Sequence, residues 1–209
     1  MAEAFEEGTP GMTAKDFIPV RADLPNAVRL AVIGAISGGL SWLLIDASDS
    51  GGLKFDLEGY GVMVLPIAVY PGLVFGLLVG SYLRLRTGIS WLRAIGYVLA
   101  AGLAYFAAFH VAFYILNSIS DDGGQTLAYV VGGVPAGLVG SLLLGLATKY
   151  LLRARARLAM GLPVAVGTVS GALLVLGNFA DRWGFLAFFV LWQAAYGASL
   201  APLLRARSV

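Results

Sequence analysis

Six long stretches of the chain carry no charged side chain: residues 30–45, 59–83, 94–120, 123–148, 158–180 and 183–204. Inside them apolar residues follow neither the alternation of a half-buried strand nor the single stripe of a surface helix. A helix needs about 20 mostly apolar residues to cross a hydrocarbon core ~30 Å thick. Five of the stretches meet that length directly. The first is short, and Ala27 and Val28 extend it once Arg29 carries its charge out to the headgroups. The pattern predicts an all-α polytopic membrane protein with six transmembrane helices, at about 27–45, 60–83, 94–117, 125–148, 160–180 and 183–204. Residues 1–25 are polar and acidic and are expected to form a mobile cytoplasmic tail. They lack the basic and apolar regions of a signal peptide, so the first helix would itself direct insertion.

Composition supports that class. Hydrophobic residues make up 59% of the chain and charged residues 12%, against a charged share of about 25% in soluble domains. There is no cysteine, which excludes disulfides, thiolate metal sites and cysteine-linked lipids.

Charge then orients the helices. Lys and Arg gather on the cytoplasmic side of membrane helices. With the N-terminus inside, all of the 14 Lys and Arg except Lys54 and Arg182 fall on that side. Asp46, Asp49, Asp56, Glu58, Asp121, Asp122 and Asp181 fall on the other. Both termini are therefore expected in the cytoplasm of a cell with this protein in its inner membrane. The basic pI of about 9.0 then follows from topology, and no nucleic-acid partner is expected. Anionic lipids at the cytoplasmic face are, since each basic residue near such a surface contributes about 1 kcal/mol of attraction.

Repeated phrases suggest internal order. LLRAR recurs at 151–155 and 203–207, and GAISGGL (34–40) echoes GTVSGAL (167–173). Pro71 and Pro135 are each followed five residues later by glycine. Three pseudo-repeated helical hairpins, each starting and ending inside, would generate this pattern. Small residues spaced by four also mark helix-packing faces: Gly34 and Gly38, Gly72, Gly76 and Gly80, Gly133 and Gly137, Gly167 and Gly171. These stripes suit tight packing within the chain, or contact with a second copy or another membrane subunit.

Candidate chemistry is sparse. Tyr70 and Pro71, Pro135, and Trp192 and Gln193 fall at similar depth near the membrane midplane. A proline frees a carbonyl one turn earlier, and with a buried amide it suits a transporter-like midplane site. His110, the lone histidine, is a candidate ligand contact or proton relay on the ground that ionisable groups inside membranes are functional by default. The loop from Asp46 has a calcium-loop flavour, but Leu57 stands where the twelfth-position acid belongs. No nucleotide, metal or nucleophile signature is present, so no enzyme, metal or cofactor is expected. The pattern leads to a small permease-like or solute-binding membrane subunit. The alternative is a non-enzymatic scaffold or accessory subunit that docks through its glycine stripes.

Overall fold

A computed structural model describes residues 24–51, 64–119, 125–154 and 159–205. Among them the chain is helical, with no strand. Its helices are α1 (Leu24–Gly51), α2 (Val64–Thr87), α3 (Trp91–Ile119), α4 (Gln125–Leu151), α5 (Leu162–Gly171), α6 (Leu176–Ser199) and the single turn α7 (Pro202–Arg205), with a 3-10 turn (Ala172–Val175) joining α5 to α6. Six segments are long and apolar enough to cross a membrane: Asn26–Ser48, Ala68–Thr87, Trp91–Ile119, Thr126–Leu151, Leu162–Ala180 and Arg182–Leu204. We refer to them as the first to sixth spans. The tail to residue 23, Lys54, Asp56, Leu57, Glu58, Asp121, Asp122, Arg155, Arg157 and Arg207 lie outside the described residues.

Apolar surface outside the bundle is what a lipid solvent requires. Leu85, Leu92, Leu103, Val169 and Phe179 are all more than two-thirds exposed, an outward apolar surface no soluble monomer would present. Hydroxyls in the spans bond back to carbonyls of their own helices: Thr148 Oγ1 to Leu144 at 2.8 Å, and Thr168 Oγ1 to Val164 at 2.8 Å. In a hydrocarbon core such hydroxyls must find their partners within the protein.

The fifth and sixth spans meet at residues 180–182, where the charge pattern predicts a break, although helical hydrogen bonding continues from Leu176 to Ser199. A methyl placed on Gly184 would overlap the Leu176 carbonyl. Residues eight apart in a straight helix are separated by about 12 Å, so the chain doubles back between them. Two bonds hold this reversal: Asn178 donates to Thr126 Oγ1 at 3.0 Å, and Trp42 Nε1 donates to the Arg182 carbonyl at 3.0 Å. Trp42 also stacks on Trp183, with ring centroids 5.6 Å apart. At the opposite end, Gly88 adopts φ +66°, and its N–H caps the Arg84 carbonyl at 2.8 Å. That left-handed turn, natural to glycine, carries α2 into α3 within three residues.

Each span packs against its sequence neighbours, and the sixth closes on the first. Burial alternates along the chain. In the apolar windows of the first, third and fifth spans 28% of residues are buried; in the second, fourth and sixth the figures are 44%, 44% and 50%. Even-numbered spans thus form the inside of the bundle.

Backbone contact at glycine makes that arrangement possible. Between α1 and α6, methyls on Gly34 and Gly38 would strike the carbonyls of Gln193 and Phe189. Between α4 and α5, Gly133 meets the Gly171 carbonyl and Gly137 the Gly167 carbonyl. Between α2 and α3, Gly72 meets the Ala101 carbonyl, a methyl on Gly76 would lie 2.8 Å from Val98 Cα, and one on Gly80 2.9 Å from the Tyr97 ring. All nine stripe glycines sit in seams inside the chain.

Two buried clusters divide the bundle along its axis. The basic end is filled by Leu30, Leu83, Leu144, Leu152, Leu200 and Leu203 with Tyr97. Towards the other end the interior is aromatic, with Tyr105, Phe188 and Phe189 packed against Trp42, Phe109 and Trp192.

Gly137→Ala is expected to lower thermal stability in mild detergent by about 1–3 kcal/mol, because the methyl drives two backbones apart. Gly39→Ala is the matched control, having nothing within 4 Å of the added carbon. Equal midpoints for the two variants would refute the seam.

Candidate functional site

Two features share the middle of the bundle, separated by an aromatic wall. The wall is Tyr105 of α3 against Trp192 and Phe189 of α6, with centroids 5.6 and 6.2 Å apart. Phe75 of α2 completes it, 6.4 Å from Trp192 and 5.7 Å edge-on to Tyr196.

On one side lies a polar cluster between α1, α2 and α6. Gln193 is fully buried. Its amide Nε2 donates to the Pro71 carbonyl at 3.3 Å and to Ser41 Oγ at 3.4 Å. Ser41 Oγ in turn donates to the Ser37 carbonyl at 2.7 Å. Gln193 Oε1 and Ser37 Oγ are buried without a partner. Pro71 and Gln193 therefore meet, although the carbonyl engaged is that of Pro71 itself. Small hydroxyls and long, weak bonds make this cluster a local clasp between three helices.

On the other side lies a cavity of about 180 Å³ bounded by α3, α4, the fifth span and α6, with Gly72 and Phe75 of α2 at its deep edge. It runs from the level of Ala101, Leu144 and Tyr196 towards Leu116, Tyr129 and Phe185, away from the basic end. The space arises because α3 and α4 face each other with Ala104, Ala108, Ala112, Gly133, Ala136 and Gly140. Side chains this small cannot fill the gap that their aromatic neighbours hold open. Among the described residues that line it, none is Asp, Glu, Lys, Arg or His. Among the lining residues, Tyr196 alone has a polar side-chain atom both buried and unpartnered, its hydroxyl. Ser141 Oγ is already directed to the Leu138 and Val164 carbonyls at 3.2 and 3.3 Å. Cavities of roughly 150 Å³ lined by apolar residues stay dry and accept benzene.

The remaining sequence candidates separate. Trp192 lines the cavity, while Tyr70, Pro71, Pro135, Gln193 and His110 do not. Pro135 lies within α4 beside Ala136 and Gly137, which do line it. His110 Nδ1 is 2.8 Å from the Phe106 carbonyl, and its ring packs on Phe106 at 4.1 Å and Phe109 at 5.8 Å. Polar residues at the midplane do not mark the cavity, because its walls are apolar. Its signal was present in α3: Ala101, Ala104, Tyr105, Ala108, Phe109, Ala112 and Phe113 recur at helical spacing. They set small and aromatic side chains in turn on one face.

No family model, curated protein or solved structure matches the chain.

Gln193→Leu removes both amide bonds and is expected to lower thermal stability by about 1 kcal/mol, the size of an interhelical hydrogen bond in a membrane. Thermal unfolding in detergent reads this directly. A rise in midpoint instead would mean that the unmatched Oε1 outweighs the clasp.

Proposed function

We propose that this chain is a membrane protein that binds a small, predominantly apolar solute within its helical bundle. It would act as the solute-binding subunit, or the binding stage, of a permease-like system. One observation carries the reading: an aromatic cavity of about 180 Å³, large enough for a single ring, stands open among tightly packed spans. Protein interiors are close-packed, and voids of this size are few. Gly72, Gly133, Gly137 and Gly171, which line it, are at the same time in backbone contact across their seams, which argues against loose packing as its origin.

The scaffold reading placed partners on the glycine stripes. Those glycines are covered within the chain, so a second copy or another subunit would meet leucine-rich outer faces instead. We take the basic end as cytoplasmic and the membrane as the inner one. Arg84 lies over the Trp91 ring at 3.6 Å and Lys149 over the Tyr150 ring at 4.7 Å. Amphipathic rings and cations held together in this way suit an interface with anionic lipids. On this orientation the aliphatic plug of Leu30, Leu83 and Leu200 closes the cytoplasmic side, and the cavity belongs to the outer half. The alternation of burial along the spans supports three repeated hairpins. So do the seams, each of which joins an even-numbered span to the odd-numbered span after it, the sixth closing on the first.

Calorimetric titration of the detergent-solubilised chain with toluene is expected to show saturable binding. Ala136→Phe, which fills the cavity from α4, should abolish it while the protein still unfolds cooperatively. Saturable binding that survives this substitution, or none by the native chain, would refute the reading. Sidedness is tested separately, since a chain without cysteine accepts single labels. Ser90→Cys should react with an impermeant maleimide only in inverted vesicles, and Ser118→Cys only in right-side-out cells. The reverse pattern would invert the topology.

A further inference from the structure

The cavity has a direction as well as a volume. We infer that its occupant is a single-chain amphiphile, with an alkyl tail of about seven carbons along the bundle axis and a polar head at the membrane surface opposite the basic end. This names the class of solute for the site proposed above and rests on that reading.

Shape supports a chain. The lining runs from Ala101 to Leu116 on α3 and from Leu144 back to Tyr129 on α4, about 22 Å of each helix at 1.5 Å per residue. A compact void of about 180 Å³ would be only about 7 Å across. The space is therefore long and narrow, a form that suits an extended tail. A cavity of roughly 150 Å³ takes the six carbons of benzene, so this one takes about seven.

Burial along the cavity supplies the direction. At one end Phe75, Ala101, Ala104 and Leu144 are each 4% exposed or less. At the other Phe113 is 41% exposed, and Leu116, Tyr129 and Phe185 are half-buried. That second end lies about one turn inside the span ends at Ile119, Thr126 and Arg182. Tyr114 and Trp183 stand exposed near the same level, where amphipathic rings mark a membrane interface. An entrance at this depth meets headgroups. Polar groups stand there too, since Asn178 donates to Thr126 Oγ1 at 3.0 Å one turn beyond Tyr129. A head carried instead to the Ala101 end would lose its water among buried apolar walls, so the tail leads and the head stays behind.

Photolabelling tests both position and orientation. The full chain in phosphatidylcholine discs is irradiated with 1-octanol carrying a diazirine on carbon 7, or on carbon 3, and the labelled residues are mapped by mass spectrometry. The carbon-7 probe is expected to mark Ala104, Ala108 or Ala136, and the carbon-3 probe Leu116, Tyr129 or Phe185. Excess unlabelled 1-octanol should remove both sets of labels. It should spare label on Leu103, which is 68% exposed on the outer surface of α3. Ala136→Phe should abolish the displaceable label and leave that on Leu103; if the variant does not fold, depth order and displacement on the native chain decide. Both probes at one depth, the reverse order, or displaceable label that survives Ala136→Phe would overturn the assignment. So would the lack of displaceable label while toluene, titrated into the same discs, binds saturably, a result that leaves the solute site standing. Failure of both removes the site itself.

Discussion

The structure depends on backbone meeting backbone at glycine. In a bilayer, lipid tails are as apolar as leucine, so burying leucine against leucine gives helices no reason to leave lipid. Association has to come from dispersion and bonding at short range, and both fall off steeply with separation. Gly133 against Gly171, Gly137 against Gly167, and Gly34 against Gln193 bring carbonyls to a distance that a single methyl would forbid. These contacts fix which helices pair, and with them the lateral order of the bundle.

Seams and cavity use the same residue types to opposite effect. Where a glycine faces another backbone, the helices close until nothing remains between them. On the α3–α4 surface the small residues face aromatic side chains, some from α6 and some, Phe109 and Phe113, from α3 itself. A methyl on Gly140 would lie 3.0 Å from the Ala108 methyl and 3.5 Å from the Ala104 carbonyl, and one on Gly132 3.3 Å from the Ala112 carbonyl. Phe109, Phe113, Phe185 and Trp192 are too large to let α3 and α4 collapse towards α6. Tight packing at the seams is what makes the cavity durable, since a helix anchored along one face is not free to fill a gap on another.

How much of this the sequence shows depends on the range of the interaction concerned. The spans are legible because transmembrane length and apolarity are local properties, as are the glycine stripes spaced by four. Partner choice is not local. Gly34 facing Gln193 and Gly137 facing Gly167 follow from the lateral order of six helices, which no window of residues contains. Depth was informative for Pro71 and Gln193, which lie at one level and bond. Pro135, expected at the same level, and His110, a candidate for its ionisable ring, are not among the residues that line the cavity. The 3-10 turn at Ala172–Val175 carries no proline or glycine within it to announce the change of helical pitch. No polar residue announces the cavity, because the space is defined by alanines that do not reach across it.

The sixth span touches both halves of the interior. Trp192 lines the cavity, and Gln193, the next residue, holds the Pro71 carbonyl and Ser41. Adjacent residues in a helix project about 100° apart, so one backbone serves the aromatic wall and the polar clasp. A turn of α6 large enough to move Trp192 away from Phe75 and Tyr105 must also strain the bonds of Gln193, already long at 3.3 and 3.4 Å. Those bonds are weak individually, and the seam at Gly34, Gly38 and Gly197 leaves α6 little freedom to tilt. Rotation about its own axis is opposed as well, because it would turn side chains of α6 into the space that Gly34 and Gly38 leave for its backbone.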